Sequence, residues 1–292
     1  MLLKISIADT LLAQLFESDH AKDENPAMRL QESICAYHRF WRYRLRSERN
    51  EISYLFKQRL IGTTVIDIGA HRGAYSFWMH RCVGTDGRVI AFEPQPELVD
   101  YLEQLKTSMR LSWLTVVPTA LSDAPGELLL VRPRSHWGGA SFHLDVETED
   151  HEVFSVPVMT LDEYASMNDL RNVSFIKCDV QDHEFQTLRG GAKLLGTQKP
   201  TLLIEQLDQY FCEGSLPDFL IGLGYRGYFF YQRQLVGIEE WPKLRRKISE
   251  PFLNYVYENP QREFVTADLP RHDRVAGSRA GAAARRLVEL KL

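Results

Sequence analysis

The segment at residues 64–76 constrains the fold of this 292-residue chain more than any other part of its sequence. It begins with an apolar run typical of a buried strand, breaks at Gly69, and continues after Gly73 with a helical pattern. A second apolar run, residues 89–92, ends in Glu93, which follows Gly69 by 24 positions. In a strand–helix–strand unit this spacing brings a carboxylate beside the ribose of a nucleotide-like ligand. The sequence therefore predicts a nucleotide-type site, with an ordinary strand-to-helix turn as the alternative.

The turn between this strand and helix separates two classes of ligand. Dinucleotide sites carry a second glycine so that the backbone can approach a pyrophosphate at the helix N-terminus, but this chain has His71 at that position. A side chain there crowds a pyrophosphate and leaves room for a ligand without phosphates, such as S-adenosylmethionine (SAM). Asp67, at the end of the strand, is then expected to face the cationic amino-acid part of SAM. We also expect Ala70, Tyr75, Pro94 and Asp179 at the cofactor site.

Composition and charge limit the class of protein. A hydrophobic content of 44% and a charged content of 25% are ordinary for a globular α/β domain. The net charge of −4 and the pI near 6.2 provide no general positive field for nucleic acid. The cysteines lie far apart without a Cys-x-x-Cys pair, which argues against a disulfide framework or a zinc site and favours a reducing cytoplasm. We expect no signal peptide and no membrane span, because no apolar run reaches about 18 residues.

The alternation of apolar runs and helical patterns suggests three regions along the chain. Residues 1–60 are predicted to form a helical extension or lid, residues 61–245 the ligand-binding domain, and residues 246–292 a partly helical extension. Strands separated by helices imply a mostly parallel sheet with ligands at the carboxyl ends of its strands. An inserted hairpin is expected between the runs 128–131 and 154–158. The alanine-rich tail is expected to dock on the body or to mediate self-association into a homo-oligomer.

Residues 37–46, in the N-terminal extension, alternate basic and aromatic side chains. This pattern predicts an amphipathic helix that packs Phe40, Trp41 and Leu45 on the body and leaves its arginines in water. A nucleic-acid or membrane patch is the alternative interpretation.

Several motifs follow one another over roughly residues 60 to 240. They are the segments 65–76 (VIDIGAHRGAYS), 89–94 (VIAFEP), 120–123 (ALSD), 160–162 (TLD), 175–180 (FIKCDV) and 188–192 (LRGGA). Together these motifs resemble the FkbM-type SAM-dependent methyltransferases. The resemblance implies the class I methyltransferase fold, an α/β, Rossmann-like fold with a seven-stranded, mostly parallel sheet whose last strand is antiparallel. It further implies methylation of a hydroxyl group on a small molecule such as a sugar, a polyketide or another natural product.

The resemblance also assigns roles to individual residues. The implied cofactor residues are Asp67, Gly69 and Gly73 at the loop, Glu93 at the ribose hydroxyls, and Ser122 with Asp123 near the adenine.

Two departures from the family pattern bear on activity. The chain has His71 where the family usually has Asn, and Gln181 and Asp182 where it usually has Glu and Gly. Gln181 removes a possible base. Asp182 is tolerable, because Asp is among the few non-glycine residues accepted in a left-handed turn.

Methyl transfer to a hydroxyl depends on positioning and benefits from a group that removes the proton. Candidate catalytic residues are Asp179 and Glu205, expected at the carboxyl ends of neighbouring strands, and His183 in the first turn of the following helix. The same carboxylates with the imidazole are also compatible with Mg²⁺, for which the sequence gives no independent support. His136 and His143, in the inserted loop, are weaker candidates.

The sequence therefore predicts a SAM-dependent O-methyltransferase that acts on a small hydroxylated acceptor. One alternative, suggested by Gln181 and Asp182, is a catalytically silent partner protein that still binds SAM. The other is an NAD-dependent oxidoreductase, which His71 and the absence of a Tyr-x-x-x-Lys pair from the sequence both disfavour.

Overall fold

The structure, a computed structural model, describes residues 30–134, 137–143, 150–207, 215–248 and 252–260. The chain divides into two compact units, Met1–Pro260 and Gln261–Leu292, and every described residue belongs to the first. The predicted tail helix, the first part of the N-terminal extension and His136 lie outside the described residues.

The described residues build an eight-stranded main sheet. In spatial order its strands are β10 (Gln234–Gly237), β9 (Arg226–Tyr231), β11 (Phe252–Glu258), β8 (Thr201–Leu207), β7 (Val173–Cys178), β1 (Thr64–Ile68), β2 (Arg88–Phe92) and β3 (Leu114–Val117). The strands from β8 to β3 run parallel to one another. Strand β11 runs antiparallel to both of its neighbours, and β10 runs antiparallel to β9.

This sheet confirms the predicted α/β fold with a mostly parallel sheet and an antiparallel last strand. Its strand count is eight rather than seven, because the short strand Gln234–Gly237 adds to the edge at β9. The antiparallel strand is Phe252–Glu258, so the sheet continues past the boundary predicted at residue 245. The sequence prediction missed this strand, although the run Tyr255-Val256-Tyr257 carries the aromatic and β-branched residues that favour strands.

Helices cover both faces of the main sheet. They are α1 (Leu30–Arg42), α2 (Arg49–Leu55), α3 (Ala74–Val83), α4 (Pro96–Ser108), α5 (Leu161–Met167), α6 (Glu184–Arg189), α7 (Ala192–Gln198), α8 (Leu216–Gly222) and α9 (Trp241–Leu244). A π-helical turn spans Tyr43–Ser47, and 3₁₀ turns span Trp137–Gly139, Ile238–Glu240 and Arg245–Lys247. A search of the described residues finds no helix with the length and apolar character needed to cross a membrane.

Local sequence explains where some of these helices begin and end. Thr160 caps α5, because its side chain accepts a hydrogen bond from the Glu163 N–H while the Glu163 carboxylate accepts one from the Thr160 N–H. The helical region that follows His183 is interrupted at Gly190, between α6 and α7. A Cβ there would collide with the Ser122 carbonyl group, so this position requires glycine for close packing.

A second, three-stranded sheet lies in the segment between β3 and α5. Its spatial order is β4 (Ala120–Leu121), β6 (His151–Met159) and β5 (Gly126–Pro133). Strands β5 and β6 pair antiparallel along their length, from Gly126 opposite Val158 to Pro133 opposite His151. This pairing confirms the predicted inserted hairpin.

The main sheet is buried on both faces, and successive residues of β1 contribute to different apolar clusters. Val65 packs in the cluster that contains α3 and α4, while Ile66 and Ile68 pack in the cluster that contains α5 to α8. All five residues of β1 are buried, including Asp67. A buried carboxylate in a strand that apolar residues surround requires hydrogen-bond partners, and these are found at the site described below.

The N-terminal helix α1 packs on α3 through aromatic side chains. Phe40 is completely buried and stacks on Phe77 at a centroid separation of 4.4 Å, and the Trp78 indole donates a hydrogen bond of 3.2 Å to the Phe40 carbonyl oxygen. The prediction for Phe40 is therefore confirmed. It holds in part for Trp41, which is 45% exposed but packs edge-to-face on Trp78 at a centroid separation of 5.4 Å, and it is wrong for Leu45, which is 58% exposed.

The exposure of these two residues has a local cause. Leu45 lies in the π-helical turn, whose wider winding breaks the helical spacing on which the prediction relied. The guanidinium of Arg44 lies 5.2 Å from the Trp41 ring centroid and 4.5 Å from that of Phe56, so it covers the aromatic surface in place of Leu45.

Candidate active site

A cavity of about 290 Å³ opens at the carboxyl ends of the parallel strands. Ligands bind at this edge of open α/β sheets. Residues at and just beyond the carboxyl ends of β1, β2, β7 and β8 line the cavity. The N-terminal segment contributes Arg39, Tyr43 and Glu48, and the inserted loop contributes Gly138 and Phe142. The predicted site edge therefore coincides with the described cavity.

The glycine turn after β1 is fixed by the close approach of β7. Gly69 has a φ of +77°, and a Cβ at this position would collide with the Asp179 carbonyl oxygen, so only glycine fits. The N–H groups of Gly69 and Ala70 both donate to the Phe92 carbonyl oxygen at 3.0 Å. Gly69 and Ala70 line the cavity.

Gly73 acts on the other side of the same turn. It has a φ of +72° and stands at the start of α3, where an added Cβ would lie 2.9 Å from Leu102 and 2.8 Å from Leu105. Gly73 does not belong to the cavity lining, whereas Ala74 and Tyr75, the next two residues, do. Its effect on the cavity is therefore to let the turn pack on α4.

Glu93 is buried at the end of β2 and is held by backbone donors. Its two carboxylate oxygens accept hydrogen bonds from the His71 N–H at 2.8 Å and from the Gln95 N–H at 3.0 Å. Burial raises the pKa of Glu93 to about 7 in spite of these bonds. Glu93 and Pro94 both line the cavity.

Asp67 has a similar environment one strand away. The Ser76 hydroxyl donates to its carboxylate at 2.5 Å, and burial raises the pKa of Asp67 to about 6. Its side chain lines the cavity from the end of β1.

His71 occupies a left-handed backbone position in the glycine turn. Its φ of +48° explains why a family pattern with Asn suits this position, because Asn is among the non-glycine residues most often found there. Burial, and then the charge of Arg72, lowers the pKa of His71 to about 4, so the ring is neutral at pH 7. His71 lines the cavity beside Gly138 of the inserted loop.

The carboxyl ends of β7 and β8 bring Lys177, Asp179 and Glu205 together. Cys178 pairs with Ile204 across these strands, so the predicted neighbourhood of Asp179 and Glu205 is present. The buried Lys177 ammonium lies 3.4 Å from an Asp179 oxygen and 5.2 Å from the centroid of the Tyr75 ring.

The two carboxyl groups have opposite pKa shifts. Burial alone would raise the pKa of Asp179, but Lys177 and hydrogen bonds from Glu205 and Gln181 bring it below its ordinary value. Burial, and then the charge of Asp179, raises the pKa of Glu205 to about 8. The pair therefore holds one proton at neutral pH, mainly on Glu205, and Asp179 carries the charge.

His183, Ser122 and Asp123 lie outside the cavity lining. The Ser122 hydroxyl and the His183 Nε2 are 2.9 Å apart, and the other His183 nitrogen is 3.1 Å from His143. Burial, and then the charge of His143, lowers the pKa of His183 to about 4. Asp123 forms an ion pair with Arg189. The cavity wall beside them is formed instead by the preceding residues 119–121.

Several cavity residues have weak or absent signals in the sequence. Lys177 has a weak signal, because a lysine inside an apolar strand is rare unless an acidic residue pairs with it. Glu48 and Tyr43 have none, since the turn that directs them is π-helical. Gln181 and Asp182 have φ values of +52° and +76°, so Asp182 occupies the left-handed position expected for it.

The residues in the cavity do not fit Mg²⁺. Among the residues that the structure describes, no group of three or more His, Cys, Asp and Glu side chains is arranged to hold a metal ion. The Lys177 ammonium already supplies the positive charge beside Asp179.

Comparison with solved structures gives distant likenesses. The FkbM methyltransferase from Methylobacillus flagellatus shares 15% identity at a TM-score of 0.43, over 69% of this chain and 44% of that chain. A SAM-dependent O-methyltransferase from Thermotoga maritima shares 15% identity at a TM-score of 0.40, over 75% of this chain and 67% of that chain. Fibrillarin from Aeropyrum pernix was solved with natively bound S-adenosyl-L-methionine. It shares 11% sequence identity at a TM-score of 0.40, over 72% of this chain and 74% of that chain. Likenesses this distant do not identify an acceptor.

Sequence comparison assigns the family. No curated protein matches the chain. The sequence profile of the Methyltransferase FkbM domain matches residues 67–230, which make up more than half of the 292 residues and include the glycine turn, Glu93, Asp179 and Glu205. The chain therefore belongs to the FkbM methyltransferase domain family.

Proposed function

We propose that the chain is a SAM-dependent O-methyltransferase that methylates a hydroxyl group of a small molecule. One observation carries this proposal: the glycine turn with Glu93 and the Asp179–Glu205 pair line the same cavity at the carboxyl edge of the sheet. The first group suits an adenosine ligand and the second suits a hydroxyl acceptor. Family membership supports methyl transfer, and the choice of oxygen as the acceptor atom rests on this geometry.

In this proposal the cofactor occupies the end of the cavity at β1 and β2. Glu93 accepts hydrogen bonds from the ribose hydroxyls, with Pro94 fixing its position after the strand. Gly69 and Ala70 let the backbone approach the ligand, and Gly73 keeps the turn packed on α4. Asp67 and Tyr75 face the amino-acid part.

Two residues implied by the family resemblance take a less direct part. Ser122 and Asp123 stand behind the wall formed by residues 119–121, and we assign that wall to the adenine. His183, hydrogen-bonded to Ser122, supports this wall and is assigned no contact with the acceptor.

SAM, when bound, supplies a methyl group on a sulfonium, which is an electrophile that needs no metal. Asp179 is ionised at neutral pH, and we assign it the acceptance of the proton that the hydroxyl loses. Lys177 keeps the negative charge on Asp179, and the Gln181 amide donates to the same carboxylate at 3.1 Å and fixes its orientation. Glu205 keeps its proton and donates a hydrogen bond to Asp179, so Asp179 remains free to take up the proton that the hydroxyl loses.

The test is methyl transfer from SAM to a panel of sugars, polyketide alcohols and other hydroxylated metabolites, read as release of S-adenosylhomocysteine by mass spectrometry. We expect turnover with at least one class and a methyl ether in the product. Binding of SAM without turnover across the panel would favour the silent partner protein. Binding of NADH with no binding of SAM would contradict the proposal.

A further inference from the structure

The N-terminal segment places a carboxylate at the acceptor end of the cavity. Glu48 follows the π-helical turn Tyr43–Ser47 and lines the cavity together with Tyr43. Single π-helical turns occur frequently at functional sites. Glu48 is thus the one carboxylate of the described cavity lining that comes from outside the sheet, whose strand ends supply Asp67, Glu93, Asp179 and Glu205.

The Glu48 carboxylate is only half satisfied. The Tyr75 hydroxyl donates to its Oε2 at 3.0 Å, and the Asn254 amide donates to the same oxygen at 3.1 Å. Within the described ranges, no group donates to Oε1 and no lysine or arginine forms an ion pair with Glu48. Burial raises the pKa of Glu48, and the charge of Lys177 opposes this rise without cancelling it.

Glu48 shares the charge of Lys177 with two other carboxyl groups. Asn254 lies opposite Glu205 in the pairing of β11 with β8, and paired residues point to the same face of a sheet. Glu48, bonded to Asn254, therefore lies in the same corner as the proton-carrying Glu205. Lys177 forms its ion pair with Asp179 at 3.4 Å and acts less strongly on Glu48, which has no salt-bridging cation of its own in the described residues. The Asn254 Oδ1 atom is buried without a hydrogen-bond partner in the described part of the chain.

We propose that Glu48 binds a protonated amine of the acceptor, so that the substrate is a hydroxylated small molecule bearing an amino group, of the amino-sugar or aminocyclitol type. An ammonium supplies a positive charge and several N–H donors, for which the Glu48 Oε1 atom of the cavity lining is an acceptor. A hydroxyl at the same place donates a hydrogen bond to the carboxylate but brings no opposite charge, whereas an ammonium adds the attraction between opposite charges. This inference rests on the proposed methyltransferase function and names its substrate class.

A purely structural role for Glu48 makes a different prediction. If Glu48 served only to hold Tyr75 in place, the variant Glu48→Gln would affect all ligands alike, because it disturbs the Tyr75 hydrogen bond whatever the ligand. An amine-binding Glu48 predicts instead that Glu48→Gln removes the discrimination between ligands that differ by one amine.

The experiment is calorimetric titration of protein loaded with S-adenosylhomocysteine. The probes are two pairs: glucosamine with glucose, and a diaminocyclitol with inositol. We expect the amine member of at least one pair to bind about tenfold or more tightly than its partner, and Glu48→Gln to reduce this preference to about threefold or less. The matched control is Glu51→Gln, since Glu51 is buried on α2 but does not line the cavity; it should keep the preference.

Two negative results have different meanings. If the protein binds S-adenosylhomocysteine but no amine is preferred or bound, or if Glu48→Gln keeps the preference, the amine proposal is overturned and the methyltransferase proposal stands. If S-adenosylhomocysteine itself does not bind, the proposed function fails, and the amine proposal fails with it.

Discussion

Lys177 and its two carboxyl neighbours determine the electrostatics of the cavity at the scale of single residues. Lys177 is 2% exposed and sits in a strand in which every residue is buried. A buried ammonium is costly unless a carboxylate compensates its charge. Asp179 provides this compensation, whereas Glu205 carries a proton at neutral pH and is close to neutral. Asp179 and Glu205 therefore contribute differently to the free energy of unfolding.

This difference yields a prediction about two conservative variants. Asp179→Asn leaves the Lys177 ammonium buried without its carboxylate and should lower the free energy of unfolding by about 3 kcal/mol. Glu205→Gln replaces a neutral acid by a neutral amide and should cost less than about 1 kcal/mol. Urea unfolding at pH 7 measures both values. A larger loss for Glu205→Gln than for Asp179→Asn would contradict the assignment of the proton to Glu205.

At the scale of elements, the N-terminal helix α1 is attached to the methyltransferase domain through a small apolar contact. Phe40 is buried against Phe77, whereas Leu45, five residues later, is 58% exposed. Because α1 leads directly into the turn that carries Tyr43 and Glu48, its packing also fixes one wall of the cavity.

We predict that Phe40→Ala lowers the free energy of unfolding by about 3 kcal/mol, because it leaves a cavity between α1 and α3. The matched control is Leu45→Ala, which should change this quantity by about 0.5 kcal/mol or less, since the side chain is exposed. Urea unfolding followed by tryptophan fluorescence measures both. Equal effects of the two substitutions would show that α1 does not dock as described.

The elements differ in how well the sequence predicts them. Strands β1 and β2 are mostly apolar runs with glycine or proline close to their ends, so their approximate limits and the position of Glu93 are predictable. The position of Glu48 is not predictable, because it depends on a π-helical turn with no local sequence signature. Strand β11 was readable from its aromatic and β-branched residues, but its place between β8 and β9 depends on pairing over long sequence distances.

The residue types around the site are likewise easier to predict than the direction of their side chains. Asp179 and Glu205 meet because parallel neighbouring strands end at the same edge. Ser122 and His183 follow elements at the same edge but bond to each other behind the cavity wall. This outcome depends on the way the inserted hairpin packs, which motif spacing does not encode.

At the scale of the whole molecule, many buried carboxyl groups tie stability to pH. Burial raises the pKa of Glu51, Glu93 and Glu184 to about 7 and that of Glu205 to about 8. These groups bind more protons in the folded chain than in the unfolded chain, so their contribution to stability is present at low pH and is lost as the pH rises through these values. Below pH 6.5 the lowered pKa values of His71 and His183 act in the opposite direction.

We therefore predict that the melting temperature falls between pH 6.5 and pH 8, where the carboxyl effect is not offset by the histidines. At about 2–4 °C for each kcal/mol in a protein of this size, the fall should amount to a few degrees. Calorimetric scans at constant ionic strength measure it, and Glu205→Gln should make the fall smaller. A melting temperature that rises across this interval would contradict the raised pKa values.

The central claim is that the cavity binds the adenosine part of SAM through Glu93. The most direct measurement is calorimetric titration of the wild-type protein and of Glu93→Gln with S-adenosylhomocysteine, with Glu103→Gln, an exposed change on α4, as the control. We expect wild type and control to bind equally, and Glu93→Gln to bind about tenfold or more weakly, because the amide loses an acceptor and turns N–H groups toward the donors of His71 and Gln95. Failure of the wild type to bind, or unchanged affinity in Glu93→Gln, would contradict the claim.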